Sequence, residues 1–545
     1  MEIKIVGGVE FAGMLTAAAA MIENNKTTLN ELNVFPVPDG DTGTNMSMTI
    51  GSAADQLASG PISKSLSDVA SLIASSLLRG ARGNSGVILS LLFRGMSKKF
   101  KGKTEADAPL FAEAMKTGVE AAYGAVMKPA EGTVLTVSRM AADAALNAAD
   151  AGADIYSLLE KASAAAEEAL ARTPSQNPVL AKANVVDAGG QGYCYVLQGF
   201  LAALRGETVA LREAREEATA FEKFETEDIK FAYCTEFLIN RTDKEKSALK
   251  LRAYLESIGD CVVVVDDEEV IKVHVHSNNP GKAIEEALTF GSLSKIKIEN
   301  MKEQHTELLV HTEEEPEAPL PAEPEKEYGF VSVAAGAGLA EVFTDLGADR
   351  IVEGGQTMNP STADILQEIE RIPARTVFVL PNNKNIELAA RQTVGLVSGG
   401  KRVVVVPTHS IPEGVSAMLS FDPAVSSEEN AAAMKDAIGR VTSGSITYAA
   451  RNSVYEGHEI AAGDFLSLKN GKVSAITKTR DEAVDALLSA TGGGEDGIIT
   501  LFYGEDVTAK DAEEVAEQIR AKFPDAEVSV VNGGQPVYYF ILSVE

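Results

Sequence analysis

The chain has 545 residues and a net charge of −30 at pH 7, too long for one hydrophobic core and too acidic for nucleic acid or an anionic membrane surface to be a general partner. Apolar residues make up 45% of it, enough to build ordinary globular domains. Its three cysteines, Cys194, Cys234 and Cys261, are too few and too oddly numbered for a disulfide framework, which fits a reduced, cytoplasmic setting.

In chain order, the apolar segment Met14–Ile22 follows Glu2 and Glu10 with no cleavage-like stretch set off from it, so it reads as a helix rather than a signal peptide. No apolar run reaches the roughly 18 residues that a transmembrane helix needs. The stretch from Asn33 to Met46 (NVFPVPDGDTGTNM) then organises everything else. Its prolines and glycines break helix and strand alike, so it is a loop, and helical text lies on both sides. Asp39 and Asp41 stand one glycine apart, a spacing that suits a hard cation with oxygen ligands. Thr42, Gly43 and Thr44 follow with hydroxyls and backbone N–H groups where a helix begins, and such a start attracts phosphate. Carboxylates, donors and a helix in that order suggest magnesium and a nucleotide triphosphate. An acidic solvated turn is the alternative, because Asp-Gly is common turn chemistry.

The rest of the first 210 residues is rich in alanine and leucine at helical spacing. Leu66–Leu78, Ala106–Tyr123, Val134–Ala149 and Tyr156–Ala171 are predicted helices, which implies an all-α bundle or barrel. A P-loop is ruled out: Gly102-Lys103-Thr104 could end one, but Ser97 stands where its first glycine belongs. Three further loops open helices: Gly80–Gly86, Glu131–Thr136 with Thr133 as a cap, and Val186–Gly192 with Asp187 as a cap. Each reads either as local structure or as a phosphate-binding turn. Arg82 is either a cation for phosphate or a solvated surface residue.

Leu211–Phe224 reads as a charged joining helix. Beyond it, Phe231–Asn240, Cys261–Asp266 and Val270–Ser277 are predicted strands, with Ser247–Ile258 a helix, giving a small α/β domain. His274 and His276 lie two apart and so share one strand face. With Cys234 on another strand they make a nitrogen and sulfur set that suits zinc, against a plain alternative of partly exposed histidines and a buried cysteine. His305 and His311 read as surface residues. Thr312–Tyr328 is acidic and holds four prolines, an extended linker across which independent motion is expected.

After the linker, Tyr328–Ala334, Arg350–Val352, Thr376–Leu380 and Arg402–Pro407 alternate with helices such as Ser361–Arg371, capped by Ser361 or Thr362. That pattern predicts an α/β domain with a mostly parallel sheet, whose loops gather along one ligand-binding edge. The loops are polar: Gly354–Ser361, Pro381–Asn385 and Thr408–Pro412. Two dinucleotide-like patterns fail. Glu341 replaces the third glycine after Gly336 and Gly338, and Gly492–Gly497 precedes a strand, Ile498–Tyr503, rather than a helix.

The stretch 33–46 resembles the metal and nucleotide loop of the dihydroxyacetone kinase family, most closely the catalytic subunit of bacterial fatty acid kinase. Gly354–Ser361 (GGQTMNPS) resembles a hallmark of that subunit's C-terminal domain, which is thought to engage the protein that carries the acyl chain. The resemblance runs in order over nearly the full length. It implies that Asp39 and Asp41 are catalytic and hold Mg2+, with Asn33 the nearest further oxygen donor where the sugar kinases have an earlier aspartate. It further implies that Thr42, Gly43, Thr44, Asn45, Asn84, Ser85, Gly86 and Thr133 form the ATP site and that Asp187 closes it. Cys234, His274 and His276 match a zinc site of the family's middle domain. The implied organisation is a helical kinase domain at 1–210, a middle α/β domain at 215–310, a linker at 311–327 and a partner-binding α/β domain at 328–545. The implied reaction is ATP-dependent phosphorylation of a fatty acid carboxylate presented by a fatty-acid-binding carrier protein, within phospholipid metabolism; a homodimer is compatible with it. The alternatives are a kinase for a dihydroxyacetone-like small molecule, or a non-enzymatic nucleotide-sensing scaffold. Kinases of the former kind usually hold their substrate through a histidine on a partner domain, and the first 210 residues here contain no histidine.

Overall fold

The computed structural model describes residues 3–33, 40–126, 129–183, 185–210, 233–241, 246, 248–266, 270–300, 324–355, 358–449, 452–455, 458–492 and 497–545. They fall into two compact units, one formed by 1–211 together with 321–545 and the other by 212–320. The joining helix expected at 211–224, His305, His311 and most of the acidic linker lie outside the described residues.

The N-terminal part of the first unit is built of helices, as its composition predicts, with one short antiparallel pairing of Val6–Gly7 with Glu105–Ala106. Its principal helices are Gly8–Asn24, Thr42–Ala58, Leu66–Arg79, Gly83–Phe100, Ala108–Ala125, Val134–Asp150, Ile155–Gln176 and Ala188–Leu204. Several begin where a short polar side chain takes up an orphan N–H. Ser65 accepts from Asp68, Asp107 from Leu110, Thr133 from Leu135, Asp154 from Ser157 and Asp187 from Gly190. The helices pack around Phe11, whose ring lies 5.7 Å from Phe100 and 6.3–6.4 Å from Phe93, Phe111 and Phe200. Small residues let the helices close on one another: a Cβ on Gly199 would lie 2.4 Å from the Cα of Ala18.

Among the described residues the C-terminal part has three sheets, the smallest an antiparallel pair of Ser453–Tyr455 with His458–Ile460. Strands Arg402–Val405, Ala374–Leu380, Lys326–Ala334 and Arg350–Glu353 form, in that spatial order, an all-parallel sheet, as the alternating pattern predicts. Ser361 caps helix Thr362–Arg371 through a reciprocal pairing with Asp364. The second sheet has six strands, in the order Lys472–Thr477, Phe465–Lys469, Thr442–Tyr448, Phe540–Val544, Ile498–Tyr503 and Glu527–Asn532. All its pairings are antiparallel except the last.

The sequence leads one to expect a C-terminal domain moving independently beyond its acidic linker. Instead one apolar cluster runs from Leu77 and Leu89 of the helices to Val331, Val333, Val377 and Val379 of the parallel sheet. Helix Glu387–Thr393 packs on helix Gly83–Phe100. Shared apolar burial holds the two together, and it brings the loops at the carboxyl ends of the parallel strands onto the helical domain.

The second unit is a four-stranded antiparallel sheet in the order Gly259–Asp266, Val270–Ser277, Tyr233–Arg241 and Gly291–Asn300, with helices Ala248–Ile258 and Pro280–Leu288. Phe237, Ile239, Ile271, Val273 and Val275 are buried against Leu251 and Leu255. Among the described residues of the whole chain, no helix is long and apolar enough to cross a membrane.

Candidate functional site

Asp41 directly precedes helix Thr42–Ala58, yet its side chain makes no capping bond to that helix. Its carboxylate is engaged elsewhere. Asn33 Nδ2 lies 3.5 Å from Oδ1, and Asn359 Nδ2 of the C-terminal domain donates to Oδ2 at 2.5 Å. The same Asn359 nitrogen lies 3.4 Å from Asn45 Oδ1. Behind the carboxylate, Gly43 is pressed against the helix Lys26–Leu32, where a Cβ would meet the Lys26 carbonyl oxygen at 2.1 Å. Thr44 is tied to Asn30, its N–H donating to Oδ1 at 3.1 Å and its Oγ1 accepting from Nδ2 at 3.0 Å.

The turn before helix Gly83–Phe100 is fixed just as closely. Gly83 has φ +56°, and a Cβ there would lie 2.5 Å from the Asn45 amide nitrogen, so both conformation and space call for glycine. The Arg82 N–H donates to Thr49 Oγ1 at 3.2 Å, and that hydroxyl donates to the Asn45 carbonyl at 2.6 Å. Gly86 leaves room for the same hydroxyl. Two more loops complete the wall. Gly132 donates to Thr136 Oγ1 at 2.8 Å, Thr136 donates to Glu131 at 2.7 Å, and Arg139 bonds the same carboxylate at 2.7 Å. The Thr136 hydroxyl, with Arg139 and Tyr123, holds the Glu131 carboxyl below its usual range. Asp187 anchors its loop through its own N–H to Thr173 Oγ1 at 3.1 Å and accepts from the Gly190 N–H at 2.7 Å. Although Asp187 keeps some surface, neighbours enclose its carboxyl. Burial pushes it up to about 6, against the opposing pull of the Gly190 and Val134 N–H groups.

These loops surround one cleft of about 280 Å³. Of the residues singled out from sequence, Asn33, Asp41, Thr42, Asn45, Asn84, Ser85, Thr133 and Asp187 line it. Gly43, Thr44 and Gly86 are not among the lining residues; their packing shapes the wall from behind. Arg82 takes neither of its expected roles. It does not line the cleft but donates to the Asn359 carbonyl at 2.9 Å and lies 3.4 Å from Asp364, tying the two domains. Lys384 and Asn385, from the loop after strand Ala374–Leu380, line the opposite side. Sequence reasoning assigned neither of them, nor Asn359, to this site. The available signal was that each stands in a polar run after a parallel strand.

Asp39 lies outside the described residues, as do the side chains of Cys234, His274 and His276. Their strands can be placed: Cys234 pairs with His276, and Glu236 with His274. Among the described residues no group of three His, Cys, Asp or Glu side chains gathers to hold a metal. At Asp41 the carboxylate and the Thr42 hydroxyl are oxygen donors of the kind a hard cation takes, while the amide nitrogens of Asn33 and Asn359 face the two carboxylate oxygens.

Comparison with known proteins covers the chain from end to end. The DAK2 domain model matches residues 36–202. The FakA-like models of fatty acid kinase match on either side of the acidic linker, the one for the middle domain at 230–308 and the one for the C-terminal domain at 329–545. Protein YloV of Bacillus subtilis (strain 168) is 42% identical over 561 residues, covering all of both chains. The uncharacterized protein SAR1202 of Staphylococcus aureus (strain MRSA252) is 40% identical over 554 residues, again covering all of both. Among solved structures, the dihydroxyacetone kinase from C. freundii in complex with AMP-PNP and Mg2+ is 24% identical, covering 37% of this chain and 35% of that one with a TM-score of 0.30. With its helical, middle and C-terminal regions each matched in order, and full-length relatives at 40% identity or above, the chain belongs to the FakA-like family of fatty acid kinase and carries its DAK2 domain.

Proposed function

We propose that the chain is an ATP-dependent kinase that phosphorylates the carboxylate of a fatty acid presented by a separate fatty-acid-binding protein. The observation that carries this reading is the convergence of Asp41, Asn84, Thr133 and Asp187, from four loops far apart in sequence, on one cleft. Ile88, Val134, Val179 and Leu180 give the cleft an apolar lining that suits a purine, while the ends of helices 42–58 and 83–100 give it hydroxyls, amides and N–H groups that suit phosphates. Family membership favours the fatty acid over another acceptor.

In the proposed reaction an oxygen of the fatty acid carboxylate attacks the γ-phosphorus of ATP. The acyl O–P bond forms as the bond to the β-phosphate oxygen breaks, giving an acyl phosphate and ADP. A carboxylate carries no proton at neutral pH, so no general base is needed, and catalysis rests on positioning and charge. Mg2+ held at Asp41, with Asp39 and Asn33, would offset the phosphate charge during transfer. Asn359 and Asn33 fix the direction of the Asp41 carboxylate. Thr42 and Asn45 on one helix end, and Asn84 and Ser85 on the other, offer donors to the phosphate oxygens. Zinc at Cys234, His274 and His276 also remains part of the proposal. It is supported by the sequence spacing and by the pairing of Cys234 with His276 across adjacent strands; metal analysis of the purified chain tests it.

The experiment is acyl phosphate formation from ATP, Mg2+, a purified fatty-acid-loaded carrier and this chain. The wild type should make product only when the carrier is present. Asp41→Asn should lower turnover by a factor of about a thousand or more while the thermal transition is kept, since it removes a charged ligand from the centre of transfer. Wild-type turnover in Asp41→Asn would remove the metal role, and carrier-independent phosphorylation of a small polyol would replace the substrate.

A further inference from the structure

The helical domain brings two carboxylates, Asp41 and Asp187, to the lining of the cleft. A triphosphate is itself a polyanion, and beyond the charge that Mg2+ at Asp41 would offset, it is drawn to a cation that the protein itself supplies. Among the described lining residues one side chain is cationic, Lys384, and the C-terminal domain supplies it. We propose that Lys384 contacts the outer phosphates of the nucleotide, so that the C-terminal domain completes the nucleotide site that the helical domain begins. The inference rests on the kinase reading above and deepens it, because that reading gives the C-terminal domain no part in holding the nucleotide.

The loop that carries Lys384 is built as a support. Asn382, buried and left-handed at φ 54°, donates its N–H to Thr408 Oγ1 at 3.0 Å. Its amide nitrogen donates to Ser332 Oγ and the Val333 carbonyl, each at 2.9 Å. On the other side of Lys384, the Asn385 N–H donates to Asn383 Oδ1 at 2.8 Å, a side-chain turn that fixes the backbone locally. Pro381, Asn382, Asn383 and Ile386 are buried, and in this run only Lys384 is exposed. A lysine kept for solubility alone requires no such anchored turn beneath it.

The loop is also placed against the helical domain. Asn84 Nδ2 lies 3.4 Å from Asn385 Oδ1, so the residue after Lys384 meets the turn proposed to receive phosphate. Three further contacts set the register between the domains: Asn359 to Asp41, Arg82 to the Asn359 carbonyl, and the Thr362 N–H to the Ala81 carbonyl at 3.1 Å. With both walls fixed, Lys384 sits at the cleft beside the turn where Asn84 meets Asn385.

The test is an isothermal calorimetric titration of the full chain with Mg2+ and AMP-PNP, and separately with AMP, for the wild type, Lys384→Ala and Lys384→Arg. Lys384→Ala should weaken AMP-PNP binding by about tenfold, as expected for losing a charge-assisted bond at an open site. AMP lacks the outer phosphates, so its affinity should be unchanged, and Lys384→Arg should bind AMP-PNP nearly as the wild type does. Equal AMP-PNP affinity in Lys384→Ala and wild type overturns the role of Lys384 and leaves the kinase reading standing. So does equal weakening for AMP and AMP-PNP. A wild type that binds neither nucleotide overturns both readings together.

Discussion

The two walls of the cleft are held in place by different means. On the helical side, Thr133 and Asp187 bond N–H groups two or three residues ahead of them, and Gly43, Gly83 and Gly86 permit contacts that no other residue would allow. On the C-terminal side the supports are asparagines whose partners are remote: Asn382 reaches Ser332, and Asn359 reaches Asp41, 318 positions away. The first wall rests mostly on caps and close glycine contacts, with Thr49 and Thr173 holding the Arg82 and Asp187 N–H groups, and the second mostly on buried amides whose bonds form only once the chain has folded. A buried amide with its partner removed leaves an unsatisfied group behind, so the second wall should be the more sensitive to single changes of polarity.

Asn359→Leu puts that contrast to its strongest test. The side chain is 1% exposed, and leucine is of similar bulk but has no donor for the Asp41 carboxylate. Losing a buried bond to a charged acceptor should lower kcat/KM by about ten- to a hundredfold and also lower the thermal transition. Unchanged kinetics would mean that Asp41 is aimed by its own domain alone. Gly86→Ala is the corresponding change in the helical wall. The new Cβ would meet Thr49 Oγ1 at 2.3 Å, the hydroxyl that holds the Arg82 N–H and the Asn45 carbonyl. Overpacking of this kind should destabilise by about 1–3 kcal/mol in denaturant titration, with nucleotide affinity falling less than in Asn359→Leu. Pairing Gly86→Ala with Thr49→Ser, which keeps the hydroxyl but frees its rotamer, should recover part of the loss.

The same contrast explains what could be read from sequence. Helices such as Val134–Asp150 and the loops opening them carry their own signals in spacing, caps and glycines, so the loops could be located in advance; that Asn84, Ser85, Thr133 and Asp187 share one site came from the family resemblance, and apolar lining residues such as Ile88 and Leu180 gave no signal. The parallel sheet was legible because strands such as Ala374–Leu380 carry apolar runs, here Val377–Leu380, between amphipathic helices. The six-stranded sheet was less so. A strand such as Thr442–Tyr448, with its serines, glycine and single isoleucine, is held by neighbours on both sides more than by its own propensity. The docking of the C-terminal domain was illegible for a related reason. The acidic linker is a genuine local signal for an extended chain, but it says nothing about the apolar surface shared by Leu77, Leu89, Val331 and Val377. Arg82 reads as a phosphate ligand or a surface residue until Asn359 and Asp364 are beside it.

Asp187 gives the smallest expected effect and the sharpest test of charge in the helical wall. Burial raises its carboxyl in the fold to about 6, from 3.8. Between those values the folded chain keeps a proton that the unfolded chain has lost. Stability from this group is therefore full below about 4 and is lost as pH rises through about 6. An asparagine in its place would keep the N-cap without titrating, so the Asp187→Asn variant should lack that slope, and the difference between the two denaturation profiles isolates it. Nucleotide binding should follow the same sign. Below pH 6 the wild-type carboxyl is neutral and does not oppose the phosphates; above it, the added negative charge does. Wild-type affinity for AMP-PNP, relative to Asp187→Asn, should therefore fall by about threefold from pH 5 to pH 8, the scale of one partly screened charge several ångströms away. The Lys384→Ala background should preserve the pH dependence while lowering affinity at every pH. A ratio that stayed flat from pH 5 to 8 would put the Asp187 charge beyond the reach of bound phosphates, and the acidity of that wall would then serve the cap of helix Ala188–Leu204 and nothing else.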